Sequence, residues 1–127
     1  MSVVFLSIED VMRIQERVLA KDGGLAGVRD VGLLSAAVMM PQQGLGGQYL
    51  HEDLAAMAAA YLVHLAKNHP FFDGNKRVAL AASLTFLLAN GAARLPNEND
   101  AAETTLAVAA GQTSKEDLAA WFRRALG

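Results

Sequence analysis

The chain has 127 residues, no cysteine, and 11 cations against 13 acids, for a net charge of −2. One domain spanning 1–127 is expected at this length, able to bury about two thirds of its unfolded surface without a disulfide or a metal staple. Absence of cysteine excludes a disulfide framework and a zinc–thiolate centre, and the slightly acidic balance carries no signature of direct DNA binding.

The alanine-rich apolar fraction, 53%, favours close-packed helices over a sheet of β-branched residues. Ser7 followed by Asp10 forms a capping-box pattern, and Ile8, Val11, Met12, Ile14, Val18 and Leu19 recur at helical spacing. This first helix is expected to stop near Asp22-Gly23-Gly24. The start, MSVVFLSIED, lacks the basic region and long apolar run of a secretory signal. Asp30 caps a second helix through Met40, ended by Pro41. Residues 41–50, with three glycines and no periodicity, read as a mobile loop or small flap.

Glu52 and Asp53 are placed as acids in a first turn, where the helix dipole favours them. Nearly every position from Leu54 to Leu65 is apolar, the mark of a helix at the centre of a bundle. Pro70 ends it and is expected to hold His69 at an extended corner. A second buried helix runs from about Asn75 to Ala89, stopping at Asn90-Gly91. Amphipathic helices follow at 97–110 and 115–126, the latter capped by Ser114 with Asp117. Arg123 and Arg124 suit its C-terminus. The apolar stretches 54–66 and 78–89 fall short of the ~20 residues a membrane span needs, so no membrane association is expected.

Between the two central helices lies His69-Pro70-Phe71-Phe72-Asp73-Gly74-Asn75-Lys76-Arg77. Phe71 and Phe72 are too apolar to hang in water, so at least one is expected to anchor the loop. Gly74 permits a positive φ and close approach of a ligand. The free N–H groups of the following helix turn form an anion site, with Lys76 and Arg77 adding charge beside it. Arg77 can grip phosphate oxygens bidentately, and Lys76 acts as a flexible point charge. Asp73 has two readings. It caps the helix and pairs with Arg77 four residues on, or it shares a Mg²⁺ with phosphate oxygens. His69 likewise reads as a general base or as a histidine hydrogen-bonded at a helix end. His51 and His64 are not placed to form a metal site with it. The residues by themselves point to a helical domain with a phosphate-binding or phosphate-transfer loop.

HPFFDGNKR resembles the signature of the Fic/Doc superfamily, in its death-on-curing (Doc) form HxFx[DN][AG]NKR rather than the Fic form HPFxx[AG]NGR. Residues 23–43, 46–48 and 106–122 are also similar to that branch. The resemblance implies an all-α, compact bundle of about six helices whose central pair is joined by this loop. It implies a cytoplasmic toxin of a type II toxin–antitoxin module. Such a toxin transfers the γ-phosphate of ATP, with Mg²⁺, to a threonine of elongation factor Tu and so inhibits translation. A Phd-type antitoxin would neutralise it.

In that scheme His69 takes the hydroxyl proton, Asp73 organises Mg²⁺, and Gly74 and Asn75 supply backbone and amide donors to phosphate. Lys76 and Arg77 neutralise developing charge, and Phe71 anchors the loop. Lys76 stands where the Fic form has glycine, which weighs against the alternative of an AMP transferase. Retention of the whole motif weighs against an inactive Fic-fold binding module. No glutamate stands in the self-inhibitory pattern [ST]xxxE[GN], so control by a separate chain is expected. Gln15 departs from the histidine expected in many relatives of the first helix, at a distance from the proposed chemistry. Pro70 and Gly74 lean toward the Fic spelling.

Overall fold

A computed structural model describes residues 2–127. Its described residues form six α-helices: α1 (Ile8–Asp22), α2 (Val31–Met39), α3 (Leu54–Asn68), α4 (Asn75–Ala89), α5 (Glu98–Ala109) and α6 (Lys115–Leu126). A 3₁₀ turn at Met40–Gln42 and two short strands, β1 (Gly44–Leu45) and β2 (Gln48–Tyr49), lie between α2 and α3. The fold is all-α, in keeping with the alanine-rich composition.

Local chemistry sets the helix starts. At α1 the Asp10 N–H donates to Ser7 Oγ (3.0 Å) and the Ser7 N–H donates back to Asp10 Oδ2 (2.9 Å). Asp30 accepts from the Leu33 N–H at α2, and Ser114 accepts from the Asp117 N–H at α6. Asp53 is the N-cap of α3 and accepts from the Ala56 N–H, while Glu52 lies outside the helix. The expectation that both are first-turn acids is therefore off by one cap position. Pro41 ends α2 by way of the 3₁₀ turn.

The segment 41–50 is a small antiparallel hairpin, Gly44 opposite Tyr49 and Leu45 opposite Gln48. Gly46 and Gly47 form its two-residue turn at φ 61° and 81°, a backbone that favours glycine at both positions.

α3 runs through the middle and packs on α2, α4 and α6. Every residue from Ala55 to Ala66 except His64 is buried. α4, expected as a second buried helix, is buried along one face. Val78, Ala79, Ala82, Ser83, Phe86 and Leu87 point inward while Leu88 is exposed. Deep in the core the Leu6 N–H donates to the Tyr61 hydroxyl (2.9 Å), and the Tyr61 ring lies 5.1 Å from that of Phe86. The α3 and α4 helices thus present the HPFFDGNKR loop from a rigid base.

Candidate active site

The loop leaves α3 at His69 and enters α4 at Gly74. His69 does not take the extended conformation expected before a proline. It sits in the left-handed region (φ 49°, ψ 54°), the one non-glycine residue there among the described residues. A residue before proline is driven out of the right-handed helical region, and a helix C-terminus supplies the left-handed exit instead. The His69 side chain is exposed and accepts or donates no hydrogen bond within the described residues. Its carbonyl accepts from Arg29 Nε (2.8 Å), and the neighbouring Asn68 carbonyl accepts from Arg29 Nη2 (3.2 Å).

Phe71 is the anchor, 1% exposed. A short antiparallel bridge to Val28 holds its backbone, flanked by the Arg29 N–H donating to Pro70 O (2.8 Å) and the Phe72 N–H donating to Gly27 O (3.3 Å). The Asn75 side chain clamps the same residue. Its Oδ1 accepts from the Phe71 N–H (2.9 Å) and its Nδ2 donates to Phe71 O (3.0 Å). Asn75 therefore spends one amide hydrogen on the loop itself, and only the second remains for a ligand. Phe72 is half exposed, its ring against Gly27.

Asp73 neither caps α4 nor pairs with Arg77. The N-cap is Gly74, in the left-handed region at φ 80°, with no side-chain cap. Asp73 Oδ2 accepts instead from the Leu25 N–H (2.6 Å), and Arg77 Nη1 pairs with Asp22 (3.2 Å) at the end of α1. Lys76 is exposed and joins no ion pair among the described residues. The first backbone bond of α4 runs from the Val78 N–H to Gly74 O (2.8 Å). The N–H groups of Asn75, Lys76 and Arg77 are thus left pointing out of the helix end. His69, Phe72, Asp73, Gly74, Asn75, Lys76 and Arg77 together line one cleft of about 320 Å³. All the predicted site residues except buried Phe71 meet there.

The sequence sets Gln15 at a distance from this chemistry, and the structure corrects that. It is 3% exposed. Its Nε2 donates to Asp73 O (3.2 Å) and Gly27 O (3.4 Å), and its Oε1 accepts from the Gly27 N–H (3.4 Å). It rivets α1 to both the Gly24–Val28 segment and the motif loop. A polar residue on the inward stripe with Val11 and Ile14 is the available signal.

The donor set fits a magnesium ion held with phosphate. Asp73 Oδ1 accepts no hydrogen bond among the described residues, and the side chain is exposed. Among the described residues no three His, Cys, Asp or Glu come together as a metal site. One carboxylate with phosphate and water oxygens is the usual shell of Mg²⁺ at nucleotide sites. The other two histidines lie outside this cleft, and His51 Nδ1 is buried with no hydrogen-bond partner among the described residues. Burial foremost, then Lys115, His51 and Lys67, push His64 down to about 4, and its Nε2 lies 3.4 Å from Lys115 Nζ.

A model of the Fic/DOC family matches residues 5–87, which include α1, the rivet at Gln15 and the whole motif loop. The chain belongs to the Fic/DOC family. This Fic/DOC chain is 52% identical over 69 residues to the Toxin Doc of Mycolicibacterium smegmatis, a match covering 54% of this chain and 53% of that one. The aligned stretch thus spans about half the length of that relative. It is also 32% identical over 122 residues to the Protein kinase doc of Escherichia phage P1, covering 96% of this chain and 95% of that one. These matches put it in the death-on-curing branch of the family.

Proposed function

We propose that this chain is a Doc-type toxin that phosphorylates a protein hydroxyl, a threonine of elongation factor Tu, using ATP. The observation that carries this reading is the convergence of His69, Asp73, Lys76 and Arg77 on one cleft at an uncapped helix start. The names of two relatives, a toxin and a protein kinase, agree with it.

In the reaction the threonine oxygen forms a bond to the γ-phosphorus, the bond from that phosphorus to the bridging oxygen breaks, and ADP leaves. His69 accepts the hydroxyl proton, at a position exposed enough to meet a protein substrate. The N–H groups of Asn75, Lys76 and Arg77, with the Lys76 ammonium, face the charge of the phosphates. Gly74 has no side chain to block close approach at the helix start. Arg77 joins by leaving Asp22, and an exposed ion pair of that kind holds by only about 0–1 kcal/mol. When bound, Mg²⁺ neutralises phosphate charge, and Asp73 Oδ1 is the protein oxygen available to it. Lys76 in place of glycine favours phosphate over AMP as the transferred group.

The setting proposed is the cytoplasm, where ATP and the factor reside. Blocking the factor would inhibit translation. A Phd-type antitoxin from the same type II module would hold the toxin in check. No role in direct DNA binding is proposed, and no described helix is long and apolar enough to cross a membrane.

The test is mass spectrometry of elongation factor Tu after incubation with the protein, ATP and Mg²⁺, with His69→Ala as control. A phosphate-sized gain on one threonine, absent in the control, is expected. An AMP-sized gain would replace this reading with AMP transfer. No gain on the factor or anywhere in a lysate would leave a binding module.

A further inference from the structure

We infer that Arg29 is a positioning residue that sets His69 in its working orientation; the inference rests on the reading of His69 as the proton acceptor. Three consecutive carbonyls, those of Asn68, His69 and Pro70, all end on this one residue. Its Nη2 takes the first (3.2 Å), its Nε the second (2.8 Å) and its backbone N–H the third (2.8 Å). The His69 ring itself bonds to nothing among the described residues. Its direction is therefore fixed through the backbone, in a left-handed conformation that side chains other than glycine rarely adopt. The last carbonyls of a helix lack intrahelical partners, and a planar guanidinium matches two of them at once.

The loop does not depend on this guanidinium for attachment. The Val28–Phe71 bridge, the Phe72 N–H to Gly27 O bond, the Asn75 clamp and the Gln15 rivet hold it independently. Removing the Arg29 side chain thus frees two carbonyls at His69 while the rest of the loop stays seated. The peptide planes on either side of His69 can then turn, and the imidazole with them. The nucleotide-facing groups on α4 are untouched. Transfer suffers and nucleotide binding does not.

The experiment compares Arg29→Ala and Arg29→Lys with the parent chain by two readouts. The first is steady-state transfer to elongation factor Tu, with and without millimolar guanidinium. Arg29→Ala is expected to lower kcat about 10- to 100-fold, the loss that a small displacement of a reacting group produces. KM for ATP stays within about twofold. Guanidinium partly restores kcat, and Arg29→Lys, which keeps the charge but not the fork, recovers little. The second readout is the ¹³C chemical shifts of the His69 Cα and Cβ, which need no activity. The left-handed signature is expected in the parent and lost in Arg29→Ala, with the core amides unshifted.

Full recovery by Arg29→Lys would overturn the inference in favour of a purely electrostatic role, as would a left-handed His69 signature surviving in Arg29→Ala. If the parent chain transfers nothing, the functional reading fails by itself, and the His69 shifts still decide whether Arg29 sets that residue.

Discussion

At the scale of single residues, the site is defined as much by how its side chains are occupied as by which they are. Asn75 matches the motif as a phosphate donor, yet its carboxamide closes on both backbone groups of Phe71. Asn75→Ala leaves a partly buried N–H and C=O without partners, a loss of about 1–3 kcal/mol. It should appear as a lower urea midpoint with an unchanged slope. An unchanged midpoint would mean that the clamp carries no stability. Motif spelling announces residue types and spacing, so His69, Asp73, Gly74, Lys76 and Arg77 are legible in the amino-acid sequence alone. It does not announce partners that lie far away along the chain. Leu25 on Asp73, Asp22 on Arg77 and Gln15 on the Asp73 carbonyl come from the segment 15–25, and nothing in the loop's own spacing points there.

At the scale of elements, the six helices are readable because their starts and stops are local events. Ser7, Asp30 and Ser114 cap within three residues, and Gly23 and Gly91 end helices at positive φ. The hairpin at 44–49 is harder, since two-residue strands have no periodicity to read and only Gly46-Gly47 signals the turn. The left-handed exit at His69 escapes a sequence reading because Pro70 excludes one conformation without choosing between the others. The segment leading into α1 is fixed to α3 at Leu6 by the Tyr61 hydroxyl, and burial raises that phenol to about 12. Tyr61→Phe strands the Leu6 N–H in the core and should cost about 1–3 kcal/mol. Thermal unfolding checks it, together with faster hydrogen exchange at Leu6. Neither change would mean that water replaces the hydroxyl.

At the scale of the whole molecule, α6 is tied back to the start of α3. Arg123 suits its own helix end by sequence, and in the fold it reaches Asp53 (2.6 and 3.2 Å) and Glu52 (2.9 Å). Burial pushes the Asp53 carboxyl up, but hydrogen bonds from Arg123 and the Ala56 N–H outweigh it and hold the group below its ordinary range. A carboxyl depressed in the folded state stabilises above its unfolded pKa and loses that contribution as pH falls through the folded value. Arg123→Ala should therefore lower the urea midpoint at about pH 7 and much less at about pH 3. Equal losses at both would show that the pair's charge is not what holds α6 in place.

The bonds that shape the motif loop also span long stretches of chain: 39 and 40 residues from Arg29, 48 from Leu25 and 58 from Gln15. Loops that long close later than helices form, because their entropy is lost before any contact repays it. The candidate cleft is thus later to form than the helices that carry it. On the ribosome it cannot assemble until α4 has emerged behind α3 and the segment 15–29 on which it leans, so the residues that shape the cleft are all made before the cleft itself exists.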